Sequence, residues 1–374
     1  MSVVLLVLGL LLFVGLVVIH EFGHFLAARR NGVEVEEFGI GFPPRAWGKK
    51  TKGGFIFSIN WLPIGGFVKL KGESDAATEK GTMGAATTAA KAKIMLAGVT
   101  MNLVVAFILL TVLGWIGMPQ LIDNQFTVKS DTTVLKNEVL AGYVDADSPA
   151  AKAGIKARDQ IQTIAFAGRT IKLQNASDLP KITEKYAGKT VRISYVHNGQ
   201  LKTTTASLRD QKTVEASKKT DKPKGYLGVS PTEYKTTRST WSAPVTALGL
   251  LWQFTVATFH GLGTAIAAVF QGQGSKAAEQ VSGPVGIVVI LKDGSLLGIQ
   301  FILMIIAIIS LTLAIMNVLP IPALDGGRLY MILLSRLFGK RLTQDMEERI
   351  VGSSFIFLLF LIVLITIVDV KRFF

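Results

Sequence analysis

Four stretches of this chain, around 3–28, 94–117, 296–324 and 352–368, stay apolar for about the 20 residues that a helix needs to cross a bilayer. A soluble fold has no core wide enough to use several such runs. The sequence is therefore read as a polytopic α-helical membrane protein with about four transmembrane helices. A fifth stretch, 243–271, carries no charged residue but is interrupted by Gly, Thr, Gln and His260, and is read as an interfacial or re-entrant helix. The first run lacks a basic start and passes into HEFGHFLAARR without a small-residue cleavage site, so it is expected to remain as the first span.

Charge sets the expected orientation. Nothing basic precedes the first span, whereas Arg29, Arg30, Arg45, Lys49, Lys50, Lys52, Lys69 and Lys71 follow it. The positive-inside rule then places the N-terminus outside and residues 30–92 in the cytoplasm, and four spans return the C-terminus outside. The net charge of +14 is spread along the 374 residues without a recognition module, which points to anionic lipid and excludes nucleic acid as the partner. Cysteine is absent, so any metal must be held by His and carboxylate.

The expected organisation is a pair of helices in 1–119 with a cytoplasmic-side β-hairpin loop at about 35–72, an inserted α+β domain at 120–232, a linker region at 233–295, and two more helices in 296–374. In the inserted domain, VRISYV and QLKTTTASL alternate like strands on either side of an Asn198-Gly199 turn. His197, beside that turn, is read as a solitary surface residue. Lys218, Lys219, Lys222 and Lys224 around Pro223 form a polar run read as a connector.

The chemistry sits in the first span. His20 and His24 are four residues apart, hence on one face of a helix and able to reach one zinc ion, with Glu21 between them close to a metal-bound water. Ionisable side chains inside an apolar helix are costly and mark function. Hydrolytic zinc takes three protein ligands and leaves one position open, so a third ligand is required. Asp325, at the end of the long apolar run LLGIQFILMIIAIISLTLAIMNVLPIPALDGGR, is a buried carboxylate in need of a counter-charge and is the candidate. The alternative is that it caps a turn with Gly326 and Gly327 or pairs with Arg328. Asn317 is a candidate donor to a developing oxyanion, or else ties down backbone freed by Pro320 and Pro322. Those prolines would break the span and open space near the metal. The strand-like FIFSI and GFVKL could offer an edge to an extended substrate, or only cover the site.

HEFGH in the first span together with NVLPIPALDGGR in a late one resembles the site-2 protease family of intramembrane zinc metalloproteases. SGPVGI at 282–287 and the FGIGFPPRAWG loop followed by FSINWLPIGGFVKLKGE resemble its bacterial RseP and RasP type. The text Gly41-Phe42-Pro43-Pro44 departs from the Gly-Phe-Gly-Pro common there. GYVDADSPAAKAGIKARDQIQTIAFAGRTI is similar to the core of a PDZ domain, and Gly225-Tyr226-Leu227-Gly228 to the loop with which such domains hold a peptide C-terminus, the alternative being an ordinary glycine turn closing the domain. The resemblance implies a Zn2+ enzyme of the bacterial cytoplasmic membrane with His20, His24 and Asp325 as ligands and Glu21 as catalytic base. It further implies transmembrane substrates such as anti-sigma factors or leftover signal peptides, and an active site toward the cytoplasm. Two rival classes are a catalytically idle scaffold and a metal transporter; the first has no reason to keep all four buried polar groups, and the second predicts several ligand clusters along a path.

Overall fold

A computed structural model of the chain describes residues 2–197, 199–218, 223–339 and 342–374. It divides into two compact units, one made of 1–118, 125–131 and 240–374 and the other of 119–124 and 132–239.

The first unit is helical. Helix α1, Ser2–Arg30, is apolar until its motif and ends on Arg29 and Arg30, whose charges suit a helix C-terminus. Helix α2, Thr88–Ile116, is started by the Thr87 side chain, which accepts from Ala90 N–H. Helices α3 (Ala243–Phe270), α4 (Pro284–Gly294), α5 (Ile299–Val318), α6 (Asp325–Leu337) and α7 (Gln344–Phe373) follow, with a short helix, Gly274–Glu279, between α3 and α4. Asp131 accepts from the hydroxyls of Ser242 and Thr240 ahead of α3, and these bonds hold its carboxyl well below the usual carboxylate range.

Among the described residues five helices are long and apolar enough to cross a membrane: α1, α2, α3, α5 and α7. The expectation was about four, with 243–271 an interfacial or re-entrant helix. α3 is one unbroken helix here, because Gly and Thr at these positions weaken a helix without stopping it. The expected third span, 296–324, is cut short at Val318. Pro320 and Pro322 cannot continue it, and the chain turns at Leu319–Leu324 before α6 begins at Asp325. Close packing at this corner explains the glycines: a Cβ on Gly327 would stand 1.9 Å from the Ile321 carbonyl oxygen.

Between α1 and α2 the long strands β1 (Val35–Lys50) and β2 (Ile56–Leu70) fold on each other twice. Phe38 has Val68 on one side and Phe57 on the other, and Gly39 has Phe67 and Ser58, which leaves the 66–70 segment along an edge. Phe25 of α1 packs against Phe38 and Phe55 at 5.6 and 4.9 Å, seating this sheet on the helix. The loop that follows is pinned by buried charges. Lys91 is bonded to Asp75 and to the Gly84 carbonyl, and Arg336 of α6 reaches both Asp75 oxygens at 3.1 and 3.2 Å.

The second unit is an antiparallel sheet. Val229–Arg238 pairs with Thr133–Val144, followed in order by Gln160–Phe166, Thr190–His197 and Gln200–Ser207, with Arg169–Lys172 beside Gln160–Phe166. Val139, Ile161, Ile164 and Ile193 fill its core. SPAAKAG forms the expected short helix, Pro149–Lys152 capped by Ser148, and the strand after it is Gln160–Phe166. The unit runs to Ser239 rather than 232, because the last strand needs ten residues to follow its partner. Asn198 of the expected turn and Lys219 and Lys222 of the basic run lie outside the described residues. His197 is not solitary: its Nδ1 is 2.6 Å from the Asp159 carboxylate and the side chain is partly buried.

Candidate metal centre

Helix α1 brings His20, Glu21 and His24 to one level. The two imidazoles stand edge to face, 4.8 Å between centroids, with their Nε2 atoms 3.1 Å apart. Asp325, the first residue of α6, reaches both: its Oδ2 is 3.0 Å from His20 Nε2 and 3.2 Å from His24 Nε2. Arg328 turns away to Glu73 and Glu347, so Asp325 has the histidines and not Arg328 as its partners.

The three donor atoms fit zinc. A tetrahedral site with bonds of about 2.0–2.1 Å has edges of about 3.3 Å, and the observed triangle of 3.0, 3.1 and 3.2 Å is close to one face of it. Two neutral imidazoles and one carboxylate leave a divalent cation with a net positive charge and an open position. Among the described residues this is the group with metal-ligand spacing, where a transport path predicts several.

Surrounding elements fix the donor side chains. His24 Nδ1 lies 2.8 Å from the Ile94 carbonyl of α2, so the ring donates there and keeps Nε2 free. Gly98 of α2 faces both rings: a Cβ there would stand 2.5 Å from His24 Nε2 and 2.6 Å from His20 Nε2. Gly98→Ala is therefore expected to displace the imidazoles and weaken zinc binding at least about 10-fold, the scale of lost ligand support, as measured by competition with a chromophoric chelator. Four residues on, the side-chain amide of Asn102 lies 3.3 Å from His20 Nδ1.

Glu21 lines the same cavity as His24 and Asp325. Its Oε2 accepts from Val68 N–H at 3.1 Å, on the edge segment of β2. Two residues along, Leu70 N–H donates to Glu73, which is paired with Arg328. Glu21, His24, Asp325, Val68, Glu73 and Arg328 line a cavity of about 290 Å³. Leu70, Glu73 and Arg328 also line a second cavity of about 630 Å³.

A family profile described as peptidase family M50 matches residues 8–361. The chain belongs to peptidase family M50. It is 30% identical to a Clostridium acetobutylicum protein that bears a zinc metalloprotease name, over 99% of this chain and 98% of the relative. It is 25% identical to the regulator of sigma-W protease RasP of Bacillus subtilis, over 98% of each chain. It is 26% identical to the protease eep of Enterococcus faecalis, over 96% of this chain and 97% of the relative. These matches make the M50 chain a zinc metalloprotease, and its long apolar helices make it a membrane protein.

Not every candidate of this M50 peptidase converges on the centre. Asn317 donates to the Leu313 carbonyl one turn back on its own helix, which is not one of the carbonyls, Met316 and Val318, that lose an N–H partner to Pro320 and Pro322. Asn317, Pro320 and Pro322 are not among the residues lining the 290 Å³ cavity. His260 is exposed on α3. In the inserted unit, Leu227 is buried, the Gly228 carbonyl accepts from Asp145 N–H, and Gly228 adopts φ 75°, where a Cβ would also meet Ser148. Gly225 and Gly228 line a groove with Tyr143, Asp145 and Lys224. Gly98 and Asn102 went unnoticed in the sequence. Asn102 carried a signal, since it is an amide in the middle of an apolar span.

Proposed function

We propose that this M50 peptidase is an endopeptidase that cuts other membrane proteins within or near their transmembrane segments, with His20, His24 and Asp325 as zinc ligands and Glu21 as general base and acid. The observation that carries this reading is the donor triangle of His20, His24 and Asp325 with Glu21 on the same cavity wall. Zinc held by such a set supplies Lewis-acid polarisation of a peptide carbonyl and an acidified water. Glu21 takes the proton from the attacking water and returns it to the leaving amine nitrogen.

A transmembrane substrate has its carbonyls bonded within a helix and must be extended before attack. The edge at 66–70 is suited to receive it. Val68 and Leu70 turn their N–H groups outward, where the carboxylates of Glu21 and Glu73 now accept them, and an incoming strand would take both over. The 630 Å³ cavity beyond Glu73 and Arg328 supports a polar route by which water enters.

Four spans fit the helix contacts. Gly114, late in α2, abuts Ala243 at the start of α3, while Leu291 of α4 and Ile302 of α5 lie against Gly9 near the start of α1. Gly283 and Gly286 at the start of α4 both donate to Asp369 near the end of α7. In this reading the segment from the start of α3 to the start of α4 begins and ends on one face, that of both termini, and basic residues after α1 assign the other face to the cytoplasm. The inserted unit, read as PDZ-like, is then extracytoplasmic, and its groove at Gly225 to Gly228 selects substrates by size or by a trimmed C-terminus. Membrane-bound anti-sigma factors and leftover signal peptides are the substrate classes we favour.

Purified protein in detergent should cleave a model transmembrane peptide, and chelation of zinc should abolish cleavage, with restoration when zinc is returned. Cleavage that continues at the same rate in chelator would overturn the reading.

A further inference from the structure

Asn102 of α2 has no share in the chemistry just described, yet it is fully buried in a helix of membrane-spanning length. Its backbone carbonyl accepts from Ser310 Oγ of α5 at 2.7 Å, which fixes the position of this turn of helix. Its side-chain Nδ2 lies 3.3 Å from His20 Nδ1, and its Oδ1 meets no donor. A buried, membrane-embedded amide with an orphaned oxygen calls for a partner.

An imidazole that gives Nε2 to a metal carries its proton on Nδ1 and must donate from there. His24 meets this demand with the Ile94 carbonyl. For His20 the group within reach is the Asn102 amide, and it meets the demand with oxygen, not nitrogen, toward the ring. A half-turn about the last side-chain bond exchanges the two atoms without moving the rest of the residue. Gly98, one turn earlier, lets the rings approach this face of α2 closely.

We propose that Asn102 is the positioning residue of His20: its side-chain carbonyl accepts from Nδ1–H and holds the ring with Nε2 facing the metal. This rests on the reading of His20 as a ligand. One histidine is thus oriented by main chain, which substitution cannot remove, and the other by a side chain, which it can.

The test compares zinc affinity of full-length wild type, Asn102→Leu and Asn102→Asp in detergent, by competition with a chromophoric chelator, alongside thermal melting of the zinc-free proteins. Asn102→Leu should weaken zinc by about 10–100-fold with its zinc-free melting unchanged, whereas Asn102→Asp, which keeps an acceptor, should stay within about 3-fold of wild type. Wild-type affinity in Asn102→Leu would overturn the proposal, and so would equal weakening in both variants. Should Asn102→Leu not fold, Asn102→Asp decides alone: retained affinity supports the role and a loss beyond about 10-fold refutes it. A His20→Ala protein measured in parallel separates the two levels, since stoichiometric zinc there would refute the ligand reading itself.

Discussion

Glu21→Gln is expected to keep zinc at full stoichiometry while lowering kcat by about 10²–10⁴-fold. Glutamine has the same length and can still accept Val68 N–H, so the contact that seats residue 21 against the edge of β2 survives. What disappears is the ability to take a proton from water and hand it to the leaving nitrogen. The metal is untouched, because the donor triangle consists of His20, His24 and Asp325. Turnover of a model peptide and metal content measured on one preparation decide the matter. A variant that cleaves within about 3-fold of wild type, well short of what a general base contributes, would remove Glu21 from the mechanism.

Asp325→Ala is expected to lose zinc, and activity with it. Two imidazoles without a third donor fall short of the three ligands that hydrolytic zinc uses, and losing a ligand should cost at least the roughly 100-fold seen at the upper end for lost ligand support. Helix α6 should survive the change, since Leu329 and Ile332 pack into the core beside Ile94 and Met95, and Arg336 is tied to Asp75. Loss of metal in a folded protein is thus the expected result. A folded Asp325→Ala protein with one zinc per chain would mean that a different residue completes the site.

The sequence disclosed what depends on composition over a window and on costly residues in the wrong place. Long charge-free runs announced the spans, and HEFGH stood out because His and Glu inside an apolar helix demand a reason. Counting ligands pointed to Asp325, and it lies against both imidazoles. The parts that stayed hidden depend on which distant residues meet. His197 was read as solitary because its partner Asp159 lies 38 positions away, just before the strand Gln160–Phe166. The double pairing of β1, with Phe38 between Val68 and Phe57, leaves no periodic mark in the text. The continuity of α3 reflects a local contest between weak helix breakers and packing, which composition does not decide, whereas the end of α5 was legible in Pro320 and Pro322. Asn102 could have been flagged as a buried amide, but its link to His20 needs the antiparallel packing of α1 and α2.

His20 and Asp325 are 305 positions apart. At the roughly 5–20 residues per second of protein synthesis, the ribosome needs roughly 15 to 60 s to travel from one to the other. Throughout that interval the membrane holds a nascent chain with two imidazoles and Glu21 in place and no carboxylate to complete the triangle. With the proposed third ligand placed so late in the chain, the proposed zinc site cannot be completed during synthesis, and any cleavage of neighbours would have to wait until the chain's own insertion is nearly finished.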